Sequence, residues 1–99
     1  MQGSLERIDV ASLKAAMKSP KPPLVLDVRD GEEFDASHVP GAIHALWYDM
    51  LERVSGIKKT REIVVYCHSG PRAVKAAHEL AELGYTNVKV LKRGFVDWE

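Results

Sequence analysis

The run Ile63-Val64-Val65-Tyr66 is β-branched, aromatic and apolar throughout, and it leads directly into Cys67-His68-Ser69-Gly70-Pro71-Arg72 and then an amphipathic helical pattern. An uninterrupted apolar run of this kind suits a strand covered on both faces, in the middle of a parallel sheet. From Ala73 to Leu83, Val74, Ala77, Leu80 and Ala81 fall on one helical face while Lys75, Glu79 and Glu82 stay outside, and Gly84 stands where a helix ends. A strand that passes through a short glycine-containing loop into a helix is the first half of a crossover unit, so the other segments are expected to alternate in the same way.

They do. Asp9 is a candidate N-cap for a helix carrying Val10, Leu13, Ala16 and Met17 on one side. Ser19-Pro20-Lys21-Pro22-Pro23 stops it and hands over to a buried strand, Leu24 to Val28. Asp30 to Phe34 is helix-prone with acidic residues at its start, and Pro40-Gly41 marks a turn. Ala42 to Trp47 reads as a weak strand, Tyr48 to Val54 as a short amphipathic helix, Val88 to Leu91 as a last strand and Gly94 to Trp98 as a terminal helical turn. The expected fold is α/β: a largely parallel central sheet of about five strands flanked by helices, with ligands bound beyond the carboxyl ends of the strands.

Composition sets the outer bounds. With 99 residues, 45% hydrophobic and 28% charged, the chain matches one globular domain spanning 1–99. Its formal net charge of zero gives no general attraction to nucleic acid or anionic lipid. The start, Met1 to Glu6, lacks the basic and apolar regions of a secretory signal and no run approaches membrane-spanning length, so a cytoplasmic location is expected. One cysteine excludes an internal disulfide and a thiol-rich zinc site, and His44 and His78 have no partner at ligand spacing. Neither a metal nor a cofactor is expected.

Cys67 sits where an anion-binding loop belongs, between a strand end and a helix N-terminus. Backbone N–H groups there have no intrahelical partners, and if they converge on the sulfur they favour a thiolate, the nucleophilic form. Gly70 supplies either a positive φ or room for close approach, and Arg72 adds permanent charge near the loop mouth. The residues alone leave two readings open: a reactive cysteine, or a small buried hydrophobe at a strand end with Arg72 solvated.

Cys67-His68-Ser69-Gly70-Pro71-Arg72-Ala73 resembles the active-site loop of the rhodanese-like sulfurtransferases. Leu26-Asp27-Val28-Arg29-Asp30-Gly31-Glu32-Glu33-Phe34, with His38-Val39-Pro40-Gly41-Ala42, is similar to the family's upstream signature, and Leu83 to Val88 with Gly94 to Trp98 to its closing pattern. The resemblance implies a three-layer rhodanese-like domain in which Cys67 takes sulfane sulfur from a small anionic donor such as thiosulfate and passes it to cyanide or a thiol. His68, Ser69, Gly70, Pro71 and Arg72 would then hold the substrate, with Asp27 and Arg29 in support. Related phosphatases and arsenate reductases use a Cys-x5-Arg loop, whereas four residues separate Cys67 from Arg72 here, a loop that suits sulfur better than phosphate. Catalytically idle members that only bind partners are the other alternative.

The chain also departs from the family pattern. Ser69 stands where some thiosulfate-using members have lysine, and Lys92-Arg93-Gly94 replaces a usual pair of glycines. The chain stops just after Trp98, where many relatives continue. Asp27 with Arg29 is expected to form a structural ion pair or helix cap, His68 to be exposed without a proton-transfer role, and His38 to fix a turn. Trp47 and Tyr48 are expected in the core rather than along the cleft, and Lys58, Lys59, Arg61, Lys92 and Arg93 in solvated turns.

Overall fold

The computed structural model describes residues 5–46 and 48–98. Its elements run β1 (Glu6–Ile8), α1 (Val10–Met17), β2 (Leu24–Asp27), α2 (Gly31–Ala36), β3 (Ile43–His44), α3 (Met50–Arg53), β4 (Ile63–Tyr66), α4 (Pro71–Glu82), β5 (Val88–Leu91) and α5 (Phe95–Trp98). The five strands form one sheet in the order β1-β5-β4-β2-β3, and every pairing is parallel. The fold is therefore α/β, with β4 in the centre.

Side chains on β4 alternate between faces, as a strand requires. Ile63 and Val65, followed by Cys67, join a cluster with Ala73, Ala76, Ala77 and Leu80 of α4. Val64 and Tyr66 join the opposite cluster, with Leu13 of α1, Val39 and Phe95 of α5. The connections after β2 and β4, which are neighbouring strands, thus run to opposite faces. They leave a crevice at the carboxyl ends of these two strands, where parallel sheets place ligands.

Local chemistry sets the helix ends. Asp9 caps α1, its Oδ1 accepting from the Ser12 N–H at 2.7 Å. Asp30 and Glu33 form a capping box at the start of α2. α4 begins at Pro71, two residues before the periodic pattern predicts, because proline at the first helical position gives up an N–H that had no partner. Beyond its far end, Gly84 has φ +101°.

Three segments differ from expectation. β1 is a strand that its residues do not announce: Glu6-Arg7-Ile8 has no apolar run, and the pairing with Lys89, Val90 and Leu91 of β5 creates it. β3 shrinks to Ile43–His44, and α3 to Met50–Arg53 with Asp49 before it. Tyr48, expected in the core, is exposed; Trp47 lies outside the described residues. No described helix is long and apolar enough to cross a membrane.

Candidate active site

Cys67 leaves the end of β4 pointing to the α4 side and is fully buried. Its Sγ accepts two backbone hydrogen bonds, from Gly70 N–H at 3.1 Å and from Ala73 N–H at 3.3 Å. Gly70 is the N-cap of α4 and Ala73 lies in its first turn, so both donors come from the group of N–H bonds that a helix start leaves unpaired. Two N–H groups and a helix N-terminus converging on one point can hold an anionic group placed there. Gly70 has φ +130°, and a Cβ there would meet nothing within 4 Å, so the glycine serves the backbone turn and not close approach. Pro71 and the side chains of His68 and Ser69 are exposed at the rim.

The loop is also held from behind. Phe95 N–H donates to the Cys67 carbonyl at 2.8 Å and Val96 N–H to the His68 carbonyl at 3.1 Å, so the start of α5 ties down the two peptide groups on either side of His68. Gly94 makes this approach possible: a Cβ there would lie 2.5 Å from the Cys67 carbonyl oxygen and 2.7 Å from that of His68. Sequence reasoning read Gly94 as the start of a terminal helical turn and the remainder of a glycine pair, without placing it against the Cys67 loop. The preceding Arg93 takes φ +59°, a left-handed conformation, in the position where the family pattern puts a glycine.

Arg72 is engaged. Its Nη1 donates to Glu33 Oε1 at 3.0 Å and its Nη2 to Oε2 at 3.4 Å, linking α4 to α2. The hydrogen bond from Arg72 holds the Glu33 carboxyl below the usual carboxylate range against a smaller opposing effect of burial. The same pairing raises the Arg72 guanidinium further. Glu33, read from sequence only as part of a helix-start signature, is thus the partner of the loop's one permanent cation; no local spacing could reveal a contact 39 residues long.

Asp27 and Arg29 do not line the crevice beside Cys67. They form a buried ion pair at 2.7 Å on the opposite face of the sheet. Asp27 Oδ1 accepts from the Arg29 N–H and Nε, and its Oδ2 accepts from Arg29 Nη2 and from the Tyr66 hydroxyl at 2.6 Å. The Tyr66 oxygen accepts in turn from Val39 N–H at 3.0 Å, and Arg29 Nη2 also reaches the Ser37 carbonyl. Above them the guanidinium lies 4.3 Å from the Phe95 ring centroid. Burial, then the hydrogen bond to Asp27, push the Tyr66 phenol far above its ordinary value. His38 and His44 serve the neighbouring loop, stacking on Phe34 and reaching the carbonyls of Phe34 and Arg29.

A cleft of about 560 Å³ opens beside the loop, bounded by Val28, Asp30, Leu46, Tyr48, Arg72 and Lys75 among others. Its size is ordinary for a small-molecule site. A larger cleft of about 680 Å³ lies farther off, between α3 and Tyr85, and includes no residue of the loop.

The family model of the Rhodanese-like domain matches residues 9–99. The chain is 30% identical over 95 residues to a putative sulfurtransferase, YtwF, of Bacillus subtilis, covering 96% of this chain and 91% of that protein. It is likewise 30% identical over 95 residues to a putative sulfur carrier protein, YrkF, of the same organism, again over 96% of this chain but only 51% of the longer relative. Among solved structures, the Rhodanese-like domain of the Alr3790 protein from Anabaena superposes with a TM-score of 0.84 at 29% identity, over 96% of this chain and 74% of that one. With a matching sheet, a matching family model and a matching full-length relative, the chain belongs to the Rhodanese-like domain family.

Proposed function

We propose that the chain is a sulfurtransferase that carries sulfane sulfur as a persulfide on Cys67. The observation that carries this reading is the pair of N–H groups, from Gly70 and Ala73, directed at the Cys67 sulfur at the head of α4. In the first step the Cys67 thiolate attacks the outer sulfur of a donor such as thiosulfate. A new S–S bond forms, the donor's S–S bond breaks, and sulfite leaves with the electron pair. The persulfide is itself an anion, and the same N–H groups stabilise it. In the second step cyanide or a thiolate attacks the terminal sulfur, departs as thiocyanate or a new persulfide, and returns Cys67 to the thiolate.

The loop from Cys67 to Arg72 supplies little charge for an inorganic donor. Ser69 is neutral, and Arg72 is shared with Glu33. Thiosulfate is therefore a serviceable donor in the proposal and an organic persulfide a better one. The single cysteine needs no oxidising compartment, in keeping with a cytoplasmic setting.

Intact-mass measurement tests the cycle. Wild-type protein incubated with thiosulfate or an organic persulfide gains one sulfur atom and loses it when cyanide or a thiol is added, whereas Cys67→Ser gains none and melts at the same temperature. Equal sulfur uptake by Cys67→Ser, or none by the wild type with either donor, overturns the proposal.

A further inference from the structure

Three of the exposed large apolar side chains lie together. Tyr48, Leu51 and Leu83 are 68%, 64% and 38% exposed, and all three line a groove of about 420 Å³ between α3 and the end of α4. Tyr48 and Leu51 also border the cleft of about 680 Å³ on the far side of α3. Tyr48 in addition walls the cleft that contains Arg72. The three residues thus form an apolar ridge between two grooves, and the ridge ends at the mouth of the Cys67 loop.

In the two grooves that flank the ridge the charges are mainly acidic, whereas the cleft at its loop end has Asp30 against Arg72 and Lys75. The charged residues of the α3–α4 groove are Glu79 and Glu82. Those of the larger cleft are Asp49 and Glu52 against Lys59, whose ammonium sits 4.1 Å from the Tyr85 ring centroid. Asp49 is paired with Arg53, but among the described residues no ion pair engages Glu52, Glu79 or Glu82. In a chain of zero net charge this acidity is local. An apolar strip rimmed by uncompensated carboxylates fits a surface that is apolar in the middle and cationic at its edge.

We propose that the Tyr48–Leu51–Leu83 ridge is the docking surface for a partner protein presenting a lysine- or arginine-rich amphipathic segment. The aromatic and leucine side chains anchor its apolar face, and Glu52, Glu79 and Glu82 select its charge. A second copy of the chain meeting this face across a two-fold axis would set these carboxylates against themselves, and an anionic lipid surface would meet the same repulsion. That the partner gives or takes the sulfur on Cys67 rests on the function proposed above; the docking does not.

The test titrates isotope-labelled protein with a short lysine-and-leucine amphipathic peptide and, separately, with its glutamate-and-leucine counterpart, following backbone amides by NMR. The lysine peptide shifts the amides of residues 48–52 and 79–83, and its affinity falls about tenfold or more in Leu51→Ser and in the Glu79→Lys/Glu82→Lys double variant. Leu51 and Glu82 are exposed and Glu79 is half-buried, and an unchanged spectrum elsewhere certifies the fold of each variant. Cys67→Ser binds as the wild type does, so loss of sulfur transfer and loss of docking are read separately. Equal shifts with the glutamate peptide, shifts located elsewhere, or unchanged affinity in both variants overturn the proposal. Shifts at 48–52 and 79–83 that follow the protein's own concentration also overturn it, in favour of a second copy.

Discussion

Tyr66, the last residue of β4, and Cys67, the next residue, belong to opposite faces of the sheet, and the two faces hold their polar groups by different means. Around Tyr66, side chains satisfy one another: its hydroxyl, the Asp27 carboxylate and the Arg29 guanidinium close a buried network under Phe95. Around Cys67 the partners are backbone N–H groups of Gly70 and Ala73, and the loop carbonyls are taken by backbone N–H groups of Phe95 and Val96. A network of side chains can be cut by one substitution, whereas a backbone cradle responds only to changes that move the chain. The first face is therefore expected to govern stability, and the second to govern chemistry.

The sharpest way to break that comparison is Asp27→Ala. It leaves Arg29 buried without its counter-charge and Tyr66 without its acceptor, and loss of one partner of a buried pair costs about 3–5 kcal/mol. Against the 5–15 kcal/mol typical of a whole domain, this is a large share. Denaturant unfolding should show a loss of this size, while sulfur loading per folded molecule stays within a few-fold of wild type. A collapse of loading at full stability would place Asp27 in the chemistry instead. Gly94→Ala works the other way. Its Cβ would press within 2.5 Å of the Cys67 carbonyl, so the loop must shift, with about 1–3 kcal/mol of stability lost to crowding. A displacement of even 1 Å can cost roughly a hundredfold in rate, and loading kinetics should therefore fall more than stability does.

How much of this was legible in the sequence follows the same division. β2, β4, α4 and β5 announce themselves because each carries its own apolar pattern, and the Cys67 loop is visible as six consecutive residues running from the end of β4 into the first turn of α4. β1 is silent, since Glu6-Arg7-Ile8 becomes a strand by pairing with β5. Gly94 under the loop, Glu33 on Arg72 and the Tyr66 hydroxyl on Asp27 all depend on contacts across the fold, with partners 39 residues apart in the last two cases. Tyr48 misled because aromatic residues usually pack inward, while its position before the short α3 leaves it on the surface.

Arg93→Gly sharpens the comparison from the structural side. Arg93 holds φ +59° just before Gly94, and a left-handed conformation costs an L-residue about 1–2 kcal/mol relative to the right-handed one. Glycine removes that strain but adds freedom to the unfolded chain, so the net gain should be about 0.5–1 kcal/mol. Thermal unfolding of the variant should move upward by a few degrees with loading rates unchanged; a lower midpoint would mean that the weak Arg93–Asp97 contact at 3.5 Å outweighs the strain.

The smallest expected effect falls on the side-chain link from Arg72 to Glu33 of α2. Glu33 has its pKa lowered chiefly by the hydrogen bond from Arg72, so the folded state binds its proton less tightly than the unfolded chain does. The stability from this pair is present above the ordinary glutamate pKa and is lost as pH falls through the lowered value; with the two side chains 44% and 33% exposed it amounts to about 0–1 kcal/mol. Glu33→Gln should remove that acid-side slope and barely alter stability at neutral pH. It also releases Arg72 from its counter-charge. If the guanidinium helps to bind an anionic donor, second-order loading from thiosulfate should rise a few-fold in Glu33→Gln, fall in Arg72→Ala, and change little in either variant with a donor of no net charge, such as an aminoalkyl persulfide whose ammonium balances its terminal sulfur. Equal response of both donors would assign Arg72 to holding α4 against α2, leaving the backbone N–H groups as the whole of the loop's attraction for the incoming sulfur.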